Sequence, residues 1–272
     1  MLPCRLVGYE RNIDMRADRF LYTHGFAKSR SHATALIASG VTLGEIPIKK
    51  PSQEIPEHTD PSLVVILNPS KYVSRGGIKL EAAISAFRLD VAGKTALDLG
   101  ASTGGFTDCL LQHGASKVIA VDVGHGQLDK TLQKDPRVCS MEGVNARTLT
   151  PEDIGGMCEL AVCDLSFISQ ALIYPAAARI LLPGGAFVTL IKPQFEAGRE
   201  HLGKNGIVRD RKVHISVISA LFSAARANGL FPEGLIPSPI SGGDGNREYL
   251  ALFRAGTEPP FDENIIEKAA LQ

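Results

Sequence analysis

Tryptophan is absent from this chain, aromatic residues make up only 6 %, and the formal net charge is zero. No run of about 18 apolar residues occurs, so no membrane-spanning helix is expected. No apolar signal segment is read near the start, and the cytoplasm is the expected compartment. Cysteine is sparse: five residues, at 4, 109, 139, 158 and 163, odd in number and scattered. That pattern excludes a disulfide framework and reads as buried thiols in a reducing environment. Cys158 and Cys163 lack the second pair that a zinc site needs, so no metal is expected. The zero charge balance says little by itself, but its distribution says more. Residues 1–75 carry ten basic against seven acidic side chains, a mildly basic front segment that suits a polyanion partner.

What the chain does have is 44 % hydrophobic and 21 % charged residues in 272, enough for a soluble core of about 200 residues plus one small domain. Its centre is the stretch 96–106, Ala-Leu-Asp-Leu-Gly-Ala-Ser-Thr-Gly-Gly-Phe. A short apolar strand runs into Gly100, Gly104 and Gly105, and a helical pattern follows. Strand, glycine turn and helix is how an open α/β sheet forms a nucleotide-like pocket at its carboxyl edge. Gly-x-Ser-x-Gly-Gly is neither the Walker loop nor the dinucleotide fingerprint. Asp98 would repel a pyrophosphate and suits a cationic head, such as the amino-acid end of S-adenosylmethionine. Gly100, Ser102, Thr103, Gly104, Gly105 and Phe106 are the expected cradle, with the glycines expected to let backbone approach the ligand closely.

An α/β alternation runs from residue 95 onward. Strands are read at 95–99, 117–121, 138–141, 160–163, 186–191, 235–239 and 248–254. Helices are read at 78–89, 105–112, 127–133, 169–182 and 212–228, with a short one opened by Pro151. The link 240–247 holds no helix, so the last strand is expected antiparallel to its predecessor. Before this lie helices at 16–25 and 30–39 and strands at 41–43, 46–48 and 63–67, a compact small module. The boundaries read as 1–67 for the front module, 68–77 for a linker, 78–256 for the α/β domain and 257–272 for a tail.

Polar residues at strand ends are the candidate chemistry. Asp122 ends the second strand, placed for two ribose hydroxyls, and Asn145 is a candidate for an adenine edge. Lys79, Asp164, Lys192 and Glu248 form a second constellation of two amines and two acids. Lys79 sits in a first helical turn, where a cation is disfavoured by the helix dipole. Methylation of a ribose 2′-hydroxyl needs a group that removes or strongly polarises its proton. A partly desolvated lysine can do this, and Lys192 is the expected base, oriented by Asp164. A buried structural salt-bridge network is the other reading of the same four residues. Arg16, Arg19, Lys28 and Arg30 in the front module, Arg75 in the joint, and Arg199 and Lys204 beside the cleft are candidate RNA contacts. Phe167, Phe195 and Tyr249 are candidates for stacking on a base. Ser102 lies in Gly-Ala-Ser-Thr-Gly, so an α/β hydrolase is an alternative, although the late histidines His201 and His214 do not follow strands.

Five motifs carry a family resemblance: 72–80 (Tyr-Val-Ser-Arg-Gly-Gly-Ile-Lys-Leu), 98–106, 164–167 (Asp-Leu-Ser-Phe), 191–196 (Ile-Lys-Pro-Gln-Phe-Glu) and 245–249 (Gly-Asn-Arg-Glu-Tyr). On these, the catalytic part resembles the FtsJ-like ribose 2′-O-methyltransferases, and residues 15–255 resemble the TlyA family. The resemblance implies a Rossmann-like, seven-stranded S-adenosylmethionine-dependent fold ordered 3-2-1-4-5-7-6, with a small N-terminal S4-like RNA-binding domain. It implies a catalytic tetrad at Lys79, Asp164, Lys192 and Glu248, with Asp164 also at the cofactor. It implies cytidine riboses of ribosomal RNA as substrate, within assembled or precursor subunits. The family's linker maps to 70–73, Ser-Lys-Tyr-Val here, where mycobacterial members have a tryptophan. The haemolysin label that family members carry finds no secretion or pore-forming segment in this sequence. A catalytically inert RNA-binding or assembly factor is the remaining alternative.

Overall fold

The computed structural model describes residues 14–67, 71–242, 245–256 and 258–271. The chain divides between residues 70 and 71 into two units. The first comprises β1 (Asp14–Arg16), α1 (Ala17–Thr23), α2 (Arg30–Ser39), β2 (Val41–Leu43), β3 (Ile46–Ile48), β4 (Glu54–Pro56) and β5 (Val64–Ile66). Ser29 caps α2 by accepting the His32 N–H at 3.1 Å, and Gly40, at φ +114°, ends it. Phe20 and Leu21 of α1 pack with Ala33, Leu36 and Ile37 of α2 over Val41, Ile48 and Ile55. Strands β3-β2-β5 form one small sheet and β1-β4 another. The pair β1–β4 has no counterpart in the sequence reading, because three-residue strands containing Pro56 carry too little alternation to register.

The second unit contains α3 (Gly76–Phe87), β6 (Thr95–Leu99), α4 (Gly105–Gln112), β7 (Lys117–Asp122), α5 (Lys130–Gln133), β8 (Val138–Glu142), α6 (Pro151–Ile154), β9 (Cys158–Cys163) and α7 (Tyr174–Ile180). It continues with β10 (Leu181–Ile191), α8 (Arg211–Ala227), β11 (Leu230–Pro237), β12 (Tyr249–Ala255) and α9 (Asn264–Leu271). The sheet order is β11-β12-β10-β9-β6-β7-β8. Counted from β6, that is the 3-2-1-4-5-7-6 order the resemblance implied. β12 runs antiparallel to both β10 and β11. Side chains alternate between two cores: Leu97, Leu99, Ala161 and Cys163 face one, Ala96, Leu160 and Val162 the other. A sheet covered on both faces explains the near-continuous apolar strands.

Three elements depart from the sequence reading for local reasons. The helix read at 169–182 is a 3₁₀ turn, Gln170–Leu172, followed by α7, because Pro175 is tolerated only in a first turn. The helix read at 127–133 shrinks to α5, since Asp129 caps it by accepting the Thr131 N–H. β11 starts at Leu230, five residues early, and passes through Pro232; it is an edge strand, where proline is tolerated. The segment 257–272, read as a tail, contains α9, whose Ile266 and Ala269 are buried in the same core as Leu97 and Leu99.

The joint 68–77 also behaves differently from a free linker. Residues 68–70 lie outside the described residues, while 71–77 belong to the second unit. Tyr72 is buried there, its hydroxyl pushed up to about 12 by burial. The Val73 N–H donates to Asp108 Oδ2 at 2.8 Å, and Lys71 pairs with Glu81. A Cβ on Gly77 would overlap the Tyr72 ring. Gly77→Ala should therefore destabilise the second unit by roughly 1–3 kcal/mol, the usual cost of overpacking, read as a lowered denaturant midpoint. The same change at Gly93, with open space around it, meets only the left-handed backbone cost.

Candidate active site

The antiparallel register of β10 and β12 pairs Ile191 with Tyr249. The next residue on one strand and the preceding one on the other are Lys192 and Glu248, so this pairing sets them side by side at the sheet edge. Parallel β9 lies on the other side of β10 and delivers Asp164. The fourth member arrives on α3: Lys79 Nζ donates to Glu248 Oε2 at 2.6 Å, across 169 residues of sequence. Lys192 Nζ lies 2.6 Å from Asp164 Oδ1 and donates to Ser166 Oγ at 2.9 Å. The Lys79 and Lys192 side chains are each only 10 % exposed, so each ammonium depends on its acid to offset lost hydration.

Lys79, Asp164 and Lys192 line a polar cavity of about 270 Å³ with Ser74, Arg75 and Thr103. Glu248 does not line it. Its carboxylate is 3 % exposed, lies behind Lys79, and packs so closely on Gly242 that a Cβ there would come within 2.6 Å of it. Glu248 therefore meets the cavity through Lys79, whose Nζ it holds.

A second cleft of about 500 Å³ shares Gly100, Ser102, Asp164 and Ser166 with the first and extends along Asp122, Val123, Asn145, Ala146 and Ile173. Asp122 accepts the Ser102 N–H at 2.8 Å on one oxygen and the Gly124 N–H at 2.7 Å on the other. Asn145 Oδ1 accepts the Arg147 N–H at 3.1 Å. Glu142, absent from the sequence reading, accepts the Gly126 and Gln127 N–H groups and so holds the 124–128 wall. Those backbone donors keep its carboxyl below the usual range. Ser166 was also missed as a contact; only its place in the 164–167 motif marked it.

Two expected cofactor residues lie elsewhere. Asp98 is fully enclosed and lines neither cavity; Thr107 Oγ1 donates to its Oδ2 at 2.6 Å. Its Oδ1 has no hydrogen bond among the described residues. Gly104, at φ +92°, faces the Leu128 and Leu132 side chains. The glycines answer to protein rather than to ligand: a Cβ on Gly100 would come within 2.7 Å of the Asp164 carbonyl oxygen, and one on Gly105 would strike Ser74. Phe106 is buried yet borders the smaller cavity, as do Gly100, Ser102, Thr103 and Gly105. Ser102, at φ +48°, donates its hydroxyl to Gln127 Oε1 at 3.1 Å. His214 is buried against Val208 and Tyr249, and His201 is exposed in a 3₁₀ turn. Among the described residues, no hydrolase triad forms around Ser102 with either late histidine.

The residues present fit S-adenosylmethionine. Asp122 at a strand end, the apolar Val123 and Ile173, and Asn145 suit an adenosine. The acidic Asp164, which lines both cavities, suits nearby positive charge.

Among the candidate RNA contacts, Arg16 and Arg30 are organised. Both guanidinium groups donate to Asp18, at 3.1 and 2.8 Å, and remain half exposed. Hydrogen bonds from Arg16 and then Arg30 hold the enclosed Asp18 carboxyl down at about 2. Arg19 and Lys28 are exposed on the same unit. Arg75 is exposed at the smaller cavity, and Arg199 and Lys204 are exposed in 3₁₀ turns after β10. Phe167 is 86 % exposed at φ +68° and stands 4.9 Å from the Phe195 ring. Tyr249, by contrast, is fully buried.

Burial pushes Asp98 up to about 7, and the charges of Asp164 and Asp122 add to the effect. Because its folded value lies above the unfolded one, the folded chain binds the extra proton between about pH 4 and 7. Stability from this group is full below that window and is lost as pH rises through it. Asp98→Asn should flatten this slope in urea unfolding measured from pH 4.5 to 7.5.

Two family matches agree with this architecture: FtsJ-like methyltransferase over residues 72–255 and S4 domain over residues 15–60. The candidate rRNA methyltransferase YqxC of Bacillus subtilis is 48 % identical, covering 93 % of each chain. The 16S/23S rRNA (cytidine-2′-O)-methyltransferase TlyA of Mycobacterium tuberculosis is 41 % identical over 93 % of this chain and 95 % of its own. A solved candidate hemolysin from Streptococcus thermophilus superposes with a TM-score of 0.75 at 41 % identity, over 96 % of this chain and 95 % of that one. With its motifs on one sheet edge and its matched segment spanning most of the residues, the chain belongs to the FtsJ-like methyltransferase family and carries an S4 domain.

Proposed function

We propose that this protein methylates the ribose 2′-hydroxyl of a cytidine in ribosomal RNA, using S-adenosylmethionine. The observation that carries the reading is the convergence of two lysines, each paired with an acid, on one small cavity that shares residues with a nucleoside-sized cleft. The cofactor supplies a sulfonium methyl for transfer to an oxygen nucleophile.

Lys192, as the neutral amine, is the group that takes the hydroxyl proton and becomes the ammonium that Asp164 pairs with. It borders the cavity, and Asp164 and Ser166 fix the direction of its Nζ. Lys79 lines the same cavity and is held by Glu248; its donors orient the ribose and adjacent oxygens. Asp122 holds the cofactor's ribose, and Asn145 with Val123 its base. Orientation supplies much of the rate, because transfer needs the oxygen in line with the methyl. Phe167 offers an aromatic face for the target base, which must leave its stack to reach the cavity. Arg16, Arg19, Lys28 and Arg30 bind RNA phosphates, as do Arg75, Arg199 and Lys204. The substrate is ribosomal RNA within a subunit or its precursor, and the site of action is the cytoplasm. Among the described residues, no helix is long and apolar enough to cross a membrane.

Lys192→Ala should bind S-adenosylmethionine within about twofold of wild type by calorimetry and lose at least about 10²-fold in transfer of labelled methyl to ribosomal subunits. Nucleotide-resolution mapping of the label identifies the ribose. Normal turnover by Lys192→Ala would remove that residue's role, and unlabelled RNA with wild-type protein would remove the activity. Replacing Arg16 and Arg30 by alanine should weaken RNA binding and lower the salt slope by about one for each lost phosphate contact, with cofactor affinity unchanged.

A further inference from the structure

Val208 is almost fully buried but belongs to no helix or strand, so its backbone groups need partners from elsewhere. Two side chains provide them. Its N–H donates to Asn246 Oδ1 at 3.1 Å, and its carbonyl accepts from His214 Nε2 at 3.0 Å. Asn246 Nδ2 donates to the Gly206 carbonyl at 3.1 Å. A carbonyl can only accept, so the His214 proton sits on Nε2, and Nδ1 accepts the Tyr249 hydroxyl at 2.9 Å. Asn246 and His214 are 2 % and 4 % exposed, and Tyr249 is fully enclosed.

These bonds cross-link two chain segments. One is the arm 199–210, which follows Lys192 and carries Arg199 and Lys204 on its exposed turns. The other is 246–249, which carries Glu248 between Asn246 and Tyr249. The front of the arm is tied as well: Glu196 Oε1 accepts the Gln170 N–H at 2.8 Å, joining the loop after β10 to the loop after β9. Of the tetrad, Lys192–Asp164 and Lys79–Glu248 are separate ion pairs. The stapled arm joins the segment of one pair to the segment of the other.

We propose that Asn246 and His214 are positioning residues that staple the RNA-facing arm to the Glu248 segment, so that RNA docking on the arm and the register of the two amine–acid pairs are set together. The proposal rests on the methyltransferase reading for its catalytic consequence, but the staple itself does not. Neither residue lines the two cavities assigned to cofactor and target, so loosening the staple leaves cofactor binding intact. Gln at 214 can keep both bonds, its amide nitrogen donating to Val208 and its oxygen accepting from Tyr249; Ala keeps neither.

The test uses the full chain as Asn246→Ala, His214→Ala and His214→Gln. Trypsin under native conditions, followed by mass spectrometry, reads cleavage after Arg199, Lys204 and Arg209. Calorimetry reads S-adenosylmethionine affinity, and steady-state methylation of ribosomal subunits reads kcat and KM. Both alanine variants should be cleaved in the arm about tenfold faster and lose about tenfold or more in kcat, with cofactor affinity within about twofold. His214→Gln should resemble wild type in all three. Wild-type cleavage rates in both alanine variants would overturn the staple. Faster cleavage with unchanged kcat, a parallel loss of cofactor affinity, or His214→Gln failing like His214→Ala would overturn the positioning role. If wild-type protein leaves RNA unmethylated, the functional reading fails, while the cleavage result still judges the staple.

Discussion

Two ammonium groups can share one desolvated pocket only if each has an acid close enough to replace the water it lost. Here each amine has one at 2.6 Å. Remove either acid and an uncompensated charge remains in a nearly closed site, at a cost of several kcal/mol. The pairs differ in setting. Lys192 and Asp164 both face the small cavity, whereas Glu248 stands behind Lys79 and meets the cavity only through it. One pair thus meets the cavity through both its members and the other through its amine alone.

The sheet exists in the form needed to make this arrangement. Parallel strands leave their carboxyl ends on one edge, which collects Asp122, Asp164 and Lys192. An antiparallel β12 next to β10 brings the start of a strand to that same edge, and with it Glu248. Four segments from 79 to 248 therefore meet without any long irregular path. The Gly100 turn is the crossing point of the two cavities. Its glycine is required because the Asp164 backbone passes within van der Waals range, at a φ of +85° that side chains disfavour. The turn is shaped by protein packing first, and the ligand space follows from it.

Much of this was legible in the residues. The strand cores at 95–99, 117–121 and 186–191 were marked by apolar runs between polar ends, and β6, β7 and β10 appear where those runs lie. The strand-end positions of Asp122, Asp164 and Lys192 followed from the same reading. What was not legible had identifiable causes. Pro175 and Pro232 have opposite effects depending on their place: one splits a helix, the other is tolerated on an edge strand. Asp98 was read as facing a ligand because its neighbours in sequence do. The alternation of the strand instead turns it toward Thr107. Glu142 and Asn246 gave no signal as positioning groups, because their partners are backbone amides of loops that carry no pattern.

By itself, the sequence determined local periodicity, helix ends such as Ser29 and Gly40, and which side chains were available for charge chemistry. Those depend on interactions within a few residues. Only the tertiary structure decided that Lys79 meets Glu248, that Asp98 is sealed from both cavities, and that Val208 is satisfied by Asn246 and His214. Such contacts join positions far apart along the chain, and their partners are selected by burial and strand register, neither of which has a local signature.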